Sequence, residues 1–289
     1  MNLTNLQRFI QDLKDDLVKE IEEYLFSITV SGSFAAGNLS KKAPDINLQI
    51  FLTPTPPPSV YIKIGEVIRR IARKYKDYFG LRVDFRPFSF PPPIVKRKPM
   101  ISLHLMICDM SQKNLPRPFG IPKFVLRGLT KSYNVLYGED PFKEIDLSIS
   151  YDEILKDIIQ DCGIIEFILT RLPVTKDPKE ECSDFFYEVY MLAKVLFHFI
   201  LEVGMKKQEI EKFDDLVRKL LTDKRLLVTF CKERIGEEEA KIAEKILKVK
   251  ENFLDWMDNH RKAAEFYKET LKLVRLLKRR VAIKLKRAL

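Results

Sequence analysis

The stretch SITVSGSFAAGNLSKKAPDINLQIF, residues 27–51, decides the fold. Ile28 and Val30 alternate with Thr29 and Ser31, the two-residue period of a half-buried strand, and Gly32 with Ser33 interrupts it. If Ser33 and the residues up to Gly37 close a helical turn, backbone N–H groups and the Ser33 hydroxyl form an anion site suited to a triphosphate. After an eleven-residue spacer a second strand begins, with Ile46, Leu48 and Ile50 on one face and Asp45, Asn47 and Gln49 on the other. Asp45 and Asn47 are therefore co-facial, about 7 Å apart along the strand.

Upstream, Thr4 and Gln7 read as a capping box, and Leu6, Phe9, Ile10, Leu13, Leu17, Ile21 and Leu25 keep one apolar face through a first helix. Downstream, the proline-rich run from Pro54 to Pro58 stops regular structure, and Ser59 is read as the cap of a helix striped by Val60, Ile64, Val67, Ile68, Ile71 and Tyr75. Gly80 ends it. Leu81, Val83 and Phe85 then alternate with Arg82, Asp84 and Arg86, a third strand. Residues 87–99, with three successive prolines and a Lys-Arg-Lys run, read as a loop bordering the polar face. Ile101, Leu103, Leu105 and Ile107 form a further strand that puts Ser102 and His104 on its second face, and His104 is expected to be a structural histidine bonded within the sheet.

Taken in order, these residues resemble the signature of the nucleotidyltransferase superfamily related to DNA polymerase β and kanamycin nucleotidyltransferase. That signature is a strand, Gly-Ser, a spacer, Asp-X-Asp opening a second strand, and a third carboxylate on a later one. Gly32 and Ser33 match, Asp45 matches the first carboxylate, Asn47 stands where the second is expected, and Asp84 falls at the third. The phrase SYNVLYGEDPF, residues 132–142, resembles the close of such domains. The resemblance covers the first half of the chain. It implies an NTP substrate, a hydroxyl acceptor the sequence does not identify, and two Mg²⁺ ions about 3.5–4 Å apart. Asp45 would bridge both ions, Asp84 would hold the one that activates the hydroxyl and take its proton, and Gly32 with Ser33 would grip the departing phosphates. Asn47 offers a carbonyl oxygen without a charge, so one ion is expected to bind weakly. Arg82 and Arg86 are candidates for phosphate binding, with pairing to neighbouring acids the other option. Two functions follow: Mg²⁺-dependent transfer of a nucleoside monophosphate, or a catalytically weak or inactive relative that binds nucleotide, RNA or a protein partner.

With 289 residues the chain is long enough for two domains, each with its own core. From Ile149 onward strand alternation gives way to helical periodicity, over 151–171, 182–203, 207–221, 224–235, 237–258 and 260–287. The expected architecture is α+β: a nucleotidyltransferase-like mixed sheet with flanking helices over 1–145, then an all-α bundle over 146–289 that holds a substrate or partner. Pro173 and Gly236 are read as helix separators. Phe185, Phe186, Val189, Leu192, Leu196 and Ile200 make a broad core face, with His198 beside it.

Hydrophobic residues are 46% and charged residues 32%, with no run near the roughly 20 apolar residues needed to span a bilayer, so a cytoplasmic protein is expected. Cys108, Cys162, Cys182 and Cys231 lack metal or redox spacing and read as buried free thiols. A formal charge of +10 favours anionic partners. It concentrates in residues 267–288, where nine Lys or Arg face the single acid Glu269. This basic helix is either a solvated packed face or an RNA-binding surface.

Overall fold

The computed structural model describes residues 3–32, 34–37, 45–84, 100–212, 215–216, 219–220 and 223–288. They form two compact units, Met1–Ser148 and Ile149–Leu289.

The first unit runs α1 (Leu3–Ile21), β1 (Leu25–Ser31), β2 (Asp45–Leu52), α2 (Pro58–Tyr75), β3 (Gly80–Asp84), β4 (Met100–Asp109), α3 (Lys123–Leu129) and β5 (Tyr133–Gly138). The strands make one mixed sheet in the order β3-β4-β2-β1-β5. β1 is antiparallel to both its neighbours, whereas β2 and β3 each run parallel to β4. Parallel strands require a crossover, and α2 supplies it between β2 and β3.

One face of the sheet carries the core. Leu6, Phe9, Leu13, Leu17 and Ile21 of α1 recur every three or four residues, as do Val60, Ile64, Val67 and Ile71 of α2. They bury against Ile28, Val30, Ile46, Leu48, Ile50, Ile101, Leu103 and Leu105. Each such side chain contributes about 1.5–3 kcal/mol when fully buried, so the two-residue period is strongly enforced. A slip of β2 by one residue would turn Asn47 and Gln49 into this core. On the other face a smaller cluster gathers Phe51, Cys108, Met110, Phe142 and Ile145, with Phe51 edge-on to Phe119 and Phe142.

Several local expectations are corrected. α1 already begins at Leu3, which puts Thr4 inside its first turn, and it ends at Ile21 because a tight 3₁₀ turn at Glu22–Tyr24 delivers Leu25 to β1. α2 is led in by Pro57 and Pro58 rather than capped by Ser59, since proline has the helical φ and lacks only an N–H with no partner there. β5 is a strand absent from the sequence reading, although Tyr133, Val135 and Tyr137 alternate with their neighbours.

The second unit holds α4 (Tyr151–Thr175), α5 (Cys182–Gly204), a 3₁₀ segment (Lys207–Lys212), α6 (Lys224–Arg234), α7 (Glu237–Glu251), α8 (Phe253–Met257) and α9 (His260–Ala288). α5 is buried around most of its circumference and α9 packs along both α4 and α5. Ser150 caps α4 reciprocally: Glu153 N–H donates to its hydroxyl at 3.2 Å and its own N–H donates to Glu153 Oε2 at 2.7 Å. Pro173 does not separate helices but lies in the last turn of α4. The helix expected over 237–258 is divided at Asn252, whose Nδ2 donates to Lys248 O and closes α7. Among the described residues no helix is long and apolar enough to cross a membrane.

Candidate active site

Strand register assembles the polar row. Asp84 on β3 lies opposite His104 on β4, His104 opposite Asn47 on β2, and Asn47 opposite Ser31 on β1. In the next row Arg82, Ser102 and Asp45 are likewise opposed. β4 thus separates the strand of Asp84 from the strand of Asp45. Two strand spacings are about 9–10 Å, so the immediate neighbour of Asn47 is a histidine and not the expected third acid. Asp45, Arg82 and Asp84 are placed by their backbones alone; Ser33, Arg86 and the 87–99 loop lie outside the described residues.

Asn47 is half-buried and is held at its oxygen end. Its Oδ1 is 2.9 Å from His104 Nδ1. With the amide placed this way round its oxygen accepts, which pairs it with the tautomer protonated at Nδ1. At the other end, a Cβ built on Gly32 would come within 2.7 Å of Asn47 Nδ2. Gly32 also has φ +77°, a conformation that glycine adopts at least cost. Its N–H donates to Ser132 O at 2.8 Å and its carbonyl accepts from Ala36 N–H at 3.0 Å, so a helical turn does follow β1 while Gly32's own donor is already engaged.

Behind this row the face stays polar yet buried. Thr29 Oγ1 donates to Gln49 Oε1 at 2.7 Å and Gln49 Nε2 donates to Ser31 Oγ at 3.1 Å, all three residues being fully enclosed. The chain of bonds satisfies buried groups that would otherwise carry a desolvation cost, and it braces Ser31 and Asn47 at the end of the sheet. His104 is bonded within the sheet, as the sequence reading expected, and its partner is Asn47. Its signal was the alternation that put it on the polar face; its neighbour could be known only from strand order.

Among the described side chains no group of three or more His, Cys, Asp or Glu could hold a metal ion. Cys108, Cys162 and Cys231 are buried, and burial pushes the Cys231 thiol up to about 12; Cys182 is half-buried and its thiol donates to Met257 O. His198 is exposed on α5. Five cations of α9 are engaged within the bundle. Arg275 and Lys278 both bind Glu166, at 2.8 and 2.7 Å, Lys272 binds Glu238 and Arg280 binds Glu239. Lys284 donates to Tyr151 Oη and Val203 O.

A mixed sheet entered through a strand and a glycine turn, with a second polar strand beside it and a helical bundle after it, is a fold shared with a solved adenyltransferase. Among solved structures the chain is similar to the spectinomycin adenyltransferase AAD(9) from Enterococcus faecialis, crystallised with ATP and spectinomycin. The TM-score is 0.52 at 12% identity, over 96% of this chain and 99% of that one, a likeness of fold. No protein-family profile and no curated protein matches the sequence.

Proposed function

We propose that this chain is a nucleotidyltransferase that moves a nucleoside monophosphate from an NTP to a hydroxyl acceptor with Mg²⁺. The observation that carries the reading is the polar row of Asp84, His104, Asn47 and Ser31, at the end of the sheet where the Gly32 turn begins. Asp45 and Asp84 have the donor chemistry to hold Mg²⁺, with Asn47 a weaker third donor. Bound there, the ion would neutralise phosphate charge and lower the pKa of the attacking hydroxyl. Asp84 would accept the hydroxyl proton, and Gly32, Ser33, Arg82 and Arg86 would bind the phosphates. The ATP and spectinomycin held by the structural neighbour make ATP the first NTP to test, with a separate acceptor.

The bond between His104 and Asn47 favours a second reading, a nucleotidyltransferase-like protein of weak or no activity that binds nucleotide, RNA or a protein partner. Titration of each NTP with Mg²⁺, followed by an assay for pyrophosphate release, separates the two. The enzyme reading expects release that Asp45→Ala reduces on the order of a thousandfold. Nucleotide binding with no release under any acceptor supports the second reading, and no nucleotide binding at all defeats the first and leaves the second only as a binder of RNA or protein.

A further inference from the structure

We infer that Asn47 binds phosphate through its Nδ2 hydrogens, and that His104 is the positioning residue that fixes the amide in that role; the inference rests on the nucleotidyltransferase reading of the site. A side-chain amide has an acceptor oxygen at one end and two N–H donors at the other. Here Oδ1 is taken by His104 Nδ1 at 2.9 Å. Rotating the amide to offer Oδ1 to a cation would set Nδ2 against the His104 N–H, donor facing donor. With Nδ1 protonated the histidine holds the amide in the orientation the structure shows, and in it Nδ2 stands over Gly32, where even one added methyl carbon would lie 2.7 Å away. Among the described residues no acceptor takes the Nδ2 hydrogens.

Gly32 cannot supply the missing donor itself, because its N–H is given to Ser132 O. The Asn47 amide is thus the donor this chain adds beside the turn, at a position where the related signature has a carboxylate. A triphosphate oxygen can accept from it directly. A carboxylate at the same place would repel that oxygen unless a cation stood between them, so the exchange of Asp for Asn changes which end of the nucleotide complex the residue recognises.

The test is isothermal titration of ATP, and of inorganic tripolyphosphate, into the full chain in EDTA and in Mg²⁺. Asn47→Asp is expected to weaken metal-free binding by about tenfold or more, the scale of one charge-assisted hydrogen bond. Asn47→Ala should weaken it as well, and keeps the comparison open if the Asp variant does not fold by circular dichroism. His104→Ala should weaken binding severalfold, and His104→Gln, which can still donate to Oδ1, should restore most of it, a rescue that a merely space-filling role would not produce. Tighter Mg²⁺–ATP binding by Asn47→Asp, or metal-free binding unchanged in Asn47→Ala, overturns the inference and leaves the nucleotidyltransferase reading standing. Failure of the wild type to bind any NTP in either buffer removes that reading and the inference together.

Discussion

Arg280 Nε lies 3.0 Å from Glu239 Oε1, and the two side chains differ sharply in exposure, at 47% for the arginine and 1% for the glutamate. The pair occupies the space that Gly236 leaves open: a Cβ there would meet Glu239 Oε2 at 2.5 Å and Arg280 Nη2 at 2.6 Å. Removing the arginine leaves a buried carboxylate unpaired. Arg280→Gln is expected to destabilise the bundle by about 3 kcal/mol, with the double variant carrying Glu239→Gln recovering most of it. Urea midpoints for the two single and one double variant measure this, and an undiminished loss in the double variant would contradict it.

Gly32→Ala meets two obstacles at once. The left-handed conformation costs a non-glycine residue about 1–2 kcal/mol, and the new methyl pushes the Asn47 amide away from His104. Stability and ATP affinity should fall together. A variant as stable and as competent as the wild type would mean the turn tolerates a side chain.

Gln49→Leu tests the buried polar ladder. The substitution strips a donor's acceptor from Thr29 and a donor from Ser31, both fully enclosed. A loss of about 2–4 kcal/mol follows from two unsatisfied groups. Adding Thr29→Val should return part of it, because an apolar pair no longer needs the bond; the denaturation midpoints of the single and double variants decide.

Glu202 gives the bundle a pH dependence of definite sign. Burial first, then Asp161 and Asp157, raise its carboxyl well above the usual range. The folded state therefore favours the protonated form, and its stabilising contribution is complete below the ordinary carboxylate pKa and lost as pH rises through the folded value. Glu166 behaves oppositely, held down by Lys278 and Arg275, so its contribution disappears only as pH falls below the ordinary range. Glu202→Gln should flatten the decline in stability as pH rises above the ordinary carboxylate range. Denaturant titrations across that rise would show an unchanged slope if the carboxyl is not responsible.

The division at Ser148 predicts that each unit folds alone, since each has its own buried core. Residues 1–148 and 149–289, expressed separately, should each melt cooperatively. Noncooperative melting of either piece would identify the chain as one obligate unit.

The elements most legible in the sequence are those whose burial imposes a period: α1 and α2 through their three-to-four spacing, β2 and β4 through strict alternation. What the sequence hides is lateral. Nothing local says that β4 enters the sheet between β2 and β3, so the meeting of Asn47 with His104, 57 positions away, was unreadable. The same holds for α9. Its charges can be counted from the sequence, but their acids, Glu166, Glu238 and Glu239, lie on other helices and come into reach only when the bundle packs. β5 was missed for a different reason, since its residues are only partly buried and alternate weakly.

The pairing of Ser31 with Tyr133, and of Gly32 with Ser132, ties the turn of the site to chain that emerges about a hundred residues later. During synthesis β1 and β2 can pair early, but the outer edge of β1 stays open until β5 arrives. The site is consequently among the last parts of its unit to be completed, and the exposed edge is the place where a nascent chain most needs protection from wrong partners.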